Sequence, residues 1–147
     1  MRTIVCDIDG VLADLVHRLG FIQKPEPEWD AFFEACDGDS PIIPMVSFLR
    51  EISPLFAIHY LTGRPERTRD KTLAWFQSHG IPMRPTDALS MRSDGDHRHD
   101  HIVKSELFDK ALLQTASIGA VFEDRDSVVE MWRGRGLLCL QPRKGDF

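Results

Sequence analysis

Short apolar, β-prone runs alternate along this chain with longer stretches of helical period. Residues 3–6, 55–61, 118–122 and 137–140 read as strands, and 88–91 as a weaker fifth. Three of these runs stop in turn-forming or charged residues: Asp7-Ile8-Asp9-Gly10, Thr62-Gly63-Arg64-Pro65 and Glu123-Asp124-Arg125. Residues 65–79 predict a helix with Pro65 in its first turn and Gly80 just past its end. Residues 100–113 place Ile102, Val103, Leu107, Leu112 and Leu113 at helical intervals, and 126–133 form a short helix before Gly134. A crossover helix over 45–52 leads into the second strand. Strands alternating with helices predict a mostly parallel sheet covered on both faces.

Residues 15–39 break that alternation. They carry Pro25, Pro27, the aromatic cluster Trp29, Phe32 and Phe33, and then Asp37-Gly38-Asp39. This reads as a small cap inserted after the first strand, too short to be independent, so residues 1–147 are expected to make one domain.

Composition narrows the class. The chain is 42% apolar and 28% charged, which argues against disorder, and 18 basic against 23 acidic residues leave a net charge of −5. No run approaches the roughly 18 consecutive apolar residues of a membrane span, and no signal-peptide pattern precedes the first strand-like run. The odd cysteine count (Cys6, Cys36, Cys139) predicts reduced thiols in a cytoplasmic protein. Net acidity still permits a nucleic-acid substrate, because a small site can be locally basic.

In open α/β sheets ligands bind outside the carboxyl ends of the strands. Asp7 and Asp9, Thr62-Gly63-Arg64, Lys104 and Glu123-Asp124 all fall at such ends or at a following helix start. Three carboxylates converging there (Asp7, Asp9, Asp124) need a cation, and oxygen-only donors favour Mg²⁺ over zinc. A carboxylate can attack phosphorus, a hydroxyl and an ammonium can hold phosphoryl oxygens, and a second carboxylate can move protons.

These residues resemble the motif set of the haloacid dehalogenase (HAD) superfamily. Asp7-Ile8-Asp9-Gly10-Val11 matches its first motif, Leu61-Thr62-Gly63-Arg64 the second, Lys104 the third and Glu123-Asp124-Arg125 the fourth. Val11 stands where many such phosphatases have threonine, and Glu123 where aspartate is more usual. The run from Met91 to Phe108, Asp124-Arg125 through Met131-Trp132-Arg133, and the terminal Gly145-Asp146-Phe147 resemble the 3′-phosphatase domains of phage polynucleotide kinase/phosphatase. No G-x-x-x-x-G-K-[ST] occurs, so no kinase activity is expected.

The resemblance implies a HAD-type, Rossmann-like three-layer α/β sandwich with a central parallel sheet and a small cap. It implies Asp7 as nucleophile, Asp9 as general acid/base, and Thr62 and Lys104 as phosphate binders. Arg18, Gly63, Arg64 and Asp100 fall at substrate-binding positions, with Asp100 able to orient Lys104 through an i,i+4 pair. Mg²⁺ would sit between Asp7, the backbone carbonyl of Asp9, and Asp124. The implied activity is a Mg²⁺-dependent phosphomonoesterase passing through an aspartyl-phosphate, with a phosphorylated nucleic-acid end or nucleotide as substrate. No membrane is expected, and no obligate protein partner is readable in the sequence. A 5′-nucleotidase or other small-molecule phosphatase, and a non-catalytic Mg²⁺- or partner-binding module, are the alternatives.

Each candidate has a plainer reading. Asp-x-Asp after a strand is a common turn device, Thr62 fits a helix cap, and Lys104 fits a solvated helix face. Arg67, Arg69 and Lys71 read as a solvated group beside Arg64, and Arg84, Arg92 and Arg98 as a rim for a polyanion. His97, His99 and His101 would share a face on an extended strand, as zinc ligands do, but their polar, glycine-containing segment reads rather as a loop. Trp29, Phe32 and Phe33 either close the cap onto the core or stack on a base. Cys6 reads as inert packing.

Overall fold

The computed structural model describes residues 1–145; Asp146 and Phe147 of the terminal match lie outside the described residues. Five parallel strands make the central sheet: β1 (Arg2–Cys6), β4 (Phe56–Pro65), β5 (Ala88–Arg92), β6 (Ile118–Phe122) and β7 (Cys139–Leu140), in spatial order β5-β4-β1-β6-β7. The remaining strands, β2 (Ala13–Asp14) and β3 (Ser40–Pro41), pair antiparallel as a small ribbon, Ala13 opposite Pro41 and Asp14 opposite Ser40. Between them run a 3₁₀ stretch (Val16–Phe21), α1 (Trp29–Glu34) and a 3₁₀ turn (Cys36–Gly38).

Alternation along β1 divides the core. Ile4 and Cys6 face a cluster with Ile58, Tyr60 and Leu89, covered by Val46 and Leu49 of α2 (Ile43–Ile52) and Trp75 and Phe76 of α3 (Arg69–His79). Val5 faces the other side with Leu61 and Val121. Phe108 of α4 (Asp100–Lys110) and Val128, Val129 and Trp132 of α5 (Asp126–Gly134) cover that face. The result is the expected α/β sandwich, with a parallel sheet between two helical layers.

Three boundaries differ from the sequence pattern. The second strand runs on through Thr62-Gly63-Arg64 to Pro65, and its helix starts only at Arg69, after a 3₁₀ turn over Glu66–Thr68. Pro65 is extended (φ −72°, ψ 151°), and Arg92 Nε donates to the Gly63 carbonyl at 2.9 Å, so neighbouring β5 holds this segment straight. The helix expected to reach residue 113 stops at Lys110, because Leu112 turns left-handed (φ 57°) and sends Leu113 into the core. Of the run 137–140, only Cys139 and Leu140 form strand, opposite Val121 and Phe122 of β6. Gly80 does end α3 in the left-handed conformation (φ 63°), as its sequence position predicts.

Candidate active site

Chain order reverses beside β1: β4 and β5 lie on one side of it, β6 and β7 on the other. Such a switch point opens a crevice at the strand ends. Asp7 follows β1, its N–H bonded to the Phe122 carbonyl at 3.0 Å. Ile8 turns into the core, and its carbonyl accepts from the amides of Val11, Leu12 and Ala13. Asp7 and Asp9, flanking this buried residue, therefore both reach the crevice. Gly10 completes the turn at φ +79°, and a Cβ there would lie 1.9 Å from Asp124 Oδ2. Glycine is required twice over, for the backbone angle and for the approach of Asp124.

Lys104 is buried at the centre. Its ammonium lies 2.8 Å from Glu123 Oε2, 3.0 Å from Asp7 Oδ1 and 3.5 Å from Asp100 Oδ2, so the expected i,i+4 pair forms. Burial alone would lower the Lys104 pKa; the surrounding carboxylates of Asp7, Glu123 and Asp100 raise it well above the ordinary value. Glu123 is anchored at both oxygens, since Oε1 accepts from the amides of Asp124 and Arg125. Thr62 is buried, its hydroxyl accepting from the Arg64 amide at 3.1 Å. Gly63 leaves room for Asp100, whose Oδ1 would meet a Cβ at 2.2 Å.

Asp7, Glu123 and Asp124 bring one carboxylate oxygen each to within 4.8 Å of one another. Burial, then the charge of Glu123, pushes the Asp7 carboxyl well up; burial and Asp7 push Asp124 up to about 7. Asp124 Oδ1 is buried without a hydrogen-bond partner. An orphaned oxygen beside a repelling carboxylate fits a divalent cation, and the all-oxygen donor set suits Mg²⁺. Asp7 and Asp124 would hold it, while Glu123, already engaged, would steady Lys104.

The Asp9 side chain lies outside this cluster, unlike the convergence of three carboxylates expected from the strand ends; the metal ligand that the resemblance implies at Asp9, its backbone carbonyl, is unaffected. Arg64 Nη2 and Arg18 Nη2 each donate to Asp9 Oδ1 at 2.7 Å. Burial would raise the Asp9 carboxyl, but the guanidiniums of Arg64 and Arg18 outweigh it and hold Asp9 well below the usual carboxylate range. Both arginines also bind Asp39: Arg18 Nε and Nη2 at 2.8 and 2.7 Å, Arg64 Nη2 at 3.1 Å. Arg18 Nη1 donates to the Phe32 carbonyl and Arg64 Nη1 to Thr72. Arg18 and Arg64, expected at substrate-binding positions, are turned onto Asp9 and Asp39 in this structure. Every guanidinium nitrogen is engaged, both side chains are fully buried, and neither is among the described residues lining the cavity.

Asp39 is the partner that sequence reasoning missed. It is buried, accepts from both arginines and lies 2.7 Å from His17 Nε2; its carbonyl accepts from Trp75 Nε1. In Asp37-Gly38-Asp39 it reads only as turn chemistry, and no spacing signal ties it to Asp9.

Above Asp7 lies a cavity of about 300 Å³. Its walls include Asp9, Gly63, Asp100 and Asp124, the α1 aromatics, Arg92 at the end of β5, and His97, Arg98 and His99 of the loop that follows. His99 and His101 stack at 5.9 Å, but no histidine belongs to the ligand-like cluster found among the described residues. Arg92 pairs with Asp100, and Arg98 with Asp96 and Glu106. Arg84 is no part of this rim: it pairs with Asp87 and donates to the Phe56 carbonyl, at the opposite ends of the strands. Arg67 and Lys71 both reach Glu34 on α1, so these cations fasten the inserted helix to α3. The described residues contain no helix long and apolar enough to cross a membrane.

Residues 1–147 match the family described as the polynucleotide kinase PNKP phosphatase domain. A protein named as a bifunctional polynucleotide kinase/RNA ligase, from Autographa californica nuclear polyhedrosis virus, is 25% identical over 138 residues, covering 90% of this chain and 18% of that protein. Among solved structures, the Pnkp1/Rnl/Hen1 complex contains a chain 28% identical, with a TM-score of 0.83, over 99% of this chain and 46% of that one. CbbY from Rhodobacter sphaeroides, solved with phosphate, shares the fold at 14% identity and a TM-score of 0.66, over 100% of this chain and 87% of its own. The present chain thus spans less than half the length of the first two relatives. It belongs to the polynucleotide kinase PNKP phosphatase-domain family and is a phosphatase of the HAD type.

Proposed function

We propose that this protein removes 3′-phosphates from polynucleotide ends, RNA ends included, through a phosphorylated Asp7 and with Mg²⁺ as cofactor. The observation that carries this reading is Asp7 on the cavity floor, 3.0 Å from the buried Lys104 and grouped with Asp124, in a chain matched over its whole length by the family. The relatives' names, a polynucleotide kinase/RNA ligase and a complex of Pnkp1 with Rnl and Hen1, support an end-repair substrate.

Asp7 attacks phosphorus in line with the 3′ oxygen. The P–O3′ bond breaks, and the leaving oxygen takes a proton from Asp9. Lys104 and the Gly63 amide stabilise the phosphoryl oxygens as charge moves. Water then attacks phosphorus, Asp9 takes its proton, and the Asp7–phosphorus bond breaks to release inorganic phosphate. The arginine pair favours the Asp9 anion, which suits the second half-reaction. A phosphate dianion entering beside Asp9 opposes the guanidinium charge and favours its protonated form for the first. Bound Mg²⁺ would supply positive charge between Asp7 and Asp124.

The test measures phosphate release from a 3′-phosphorylated oligonucleotide, its 5′-phosphorylated twin, a 3′-mononucleotide and a 5′-mononucleotide, with RNA and DNA versions of each oligonucleotide. Strong preference for the 3′-phosphorylated strand is expected, with loss of turnover on chelation and in Asp7→Asn. Preference for either mononucleotide would overturn the end-repair reading, and activity retained in Asp7→Asn would overturn the mechanism.

A further inference from the structure

The three aromatics of α1 do different things. Phe32 is buried, meets both neighbouring rings edge-on, and carries the Arg18 guanidinium 4.3 Å from its ring centre. It is the ring that closes the insertion onto the core. Trp29 remains 43% exposed and Phe33 half-buried. Their rings are stacked, 28° apart in plane and 6.1 Å apart in centre, and both line the cavity that contains Asp7. Scattered exposed aromatics need no explanation, but a stacked pair in the wall of a catalytic cavity forgoes burial where a ligand must pass.

Buried Phe32 anchors the helix that carries the pair. Asp30 and Glu34, on the same six-residue helix, pair with Arg67, and Glu34 also with Lys71, which are exposed ion pairs that add modestly to that anchor. Apart from Phe32, the rest of the cavity lining is polar or glycine: the carboxylates and Gly63, together with Arg92, His97, Arg98 and His99. A ligand matching these walls carries a phosphate at one end and a flat π face beside it. A nucleotide has both.

We propose that Trp29, backed by Phe33, is a stacking platform for the nucleobase of the nucleotide that bears the scissile phosphate. This inference rests on the 3′-phosphatase reading and names what that site recognises beyond phosphate. Trp29 and Phe33 present ring faces, and stacking reads a base's face and not its edge, so the platform does not itself choose among bases. Base–aromatic stacking of this kind tolerates sequence.

The experiment compares kcat/KM on two 3′-phosphorylated oligonucleotides, one ending in an ordinary nucleotide and one in an abasic sugar. The wild type should prefer the base-bearing end by about tenfold. Trp29→Ala should collapse that ratio towards one, and Trp29→Phe should restore most of it. A wild-type ratio near one, or equal losses on both ends in Trp29→Ala, would overturn the platform and leave Trp29 as packing for the insertion. A second readout follows tryptophan emission in Asp7→Asn, where Trp75 and Trp132 are buried and Trp29 is the accessible indole. Quenching by the 3′-phosphorylated oligonucleotide or a mononucleotide, lost in the added Trp29→Phe change, supports stacking; no quenching by either overturns it. Quenching by mononucleotides without turnover of 3′-phosphorylated ends would uphold the platform and overturn the end-repair reading.

Discussion

Asp39 touches Asp9 only through arginines, yet the charge balance of the site depends on it. Arg18 and Arg64 bring two positive charges into a fully buried space, and Asp9 and Asp39 bring two negative ones. Replacing Asp39 by asparagine keeps the shape and leaves one guanidinium uncompensated. Breaking a buried pair in this way costs about 3–5 kcal/mol. Asp39→Asn should therefore lower unfolding stability by about that much in urea titrations. It should also reduce kcat with little change in KM, because Asp39 is not among the described residues lining the cavity. An equally stable variant would show that Asp9 alone neutralises both arginines. Asp7, Asp9 and Asp124 stood out in the sequence because each follows a strand in turn-forming residues, while the roles expected of them came from the family resemblance. Lys104 was legible only through the order of the motifs, and Asp100 only through the family resemblance, because a lysine and an aspartate four residues apart on a helix are otherwise ordinary surface. Asp39, and the retreat of Arg18 and Arg64 behind Asp9, were not, because these contacts exist only once the insertion folds back over the sheet.

At the scale of elements, the sheet and its covering helices follow from hydrophobic period, and the misplaced boundaries are those set by neighbours. Pro65 looks like a helix start and is a strand end because β5 pairs with that segment; nothing within residues 61–69 announces this. Arg84 looks like part of a rim for a polyanion and is instead half of a clasp. Asp87 accepts from the Ile58 amide at 2.8 Å and from the Arg84 amide and guanidinium, tying the start of β4 to the approach to β5. Burial would raise the Asp87 carboxyl, but Arg84 and these two amides lower it below the ordinary range. A lowered carboxyl pKa adds stability above the unfolded value of about 4, and that contribution disappears as pH falls through the folded value. Asp87→Asn should therefore cost about 1–3 kcal/mol at neutral pH. The gap to wild type should narrow below about pH 4, as urea unfolding across that range would measure. A gap independent of pH would mean the clasp works through hydrogen-bond geometry and not through charge.

For the whole molecule, the net charge of −5 sits awkwardly with the proposed polyanionic substrate unless recognition is confined to the strand's end. The pairing of the cations supports that confinement. Arg92 and Arg98 at the cavity mouth are matched by Asp100, Asp96 and Glu106, and Arg67 and Lys71 by Asp30 and Glu34. A cation already paired within the protein releases few counterions when a phosphate approaches, so these residues do not form a track along a strand. The log of kcat/KM on a 3′-phosphorylated single strand should fall with log salt at a slope no steeper than about −2, as for two or three neutralised phosphates. Lengthening the strand from about 4 to about 20 nucleotides should leave both rate and slope nearly unchanged. Steady-state rates at subsaturating substrate, across about 50–300 mM salt, measure both. A slope several times steeper, growing with length, would require a basic path that the paired arginines do not provide. A shallow one would mean that terminal phosphate and terminal base together carry recognition, which is how an acidic protein can act on nucleic acid without holding the strand.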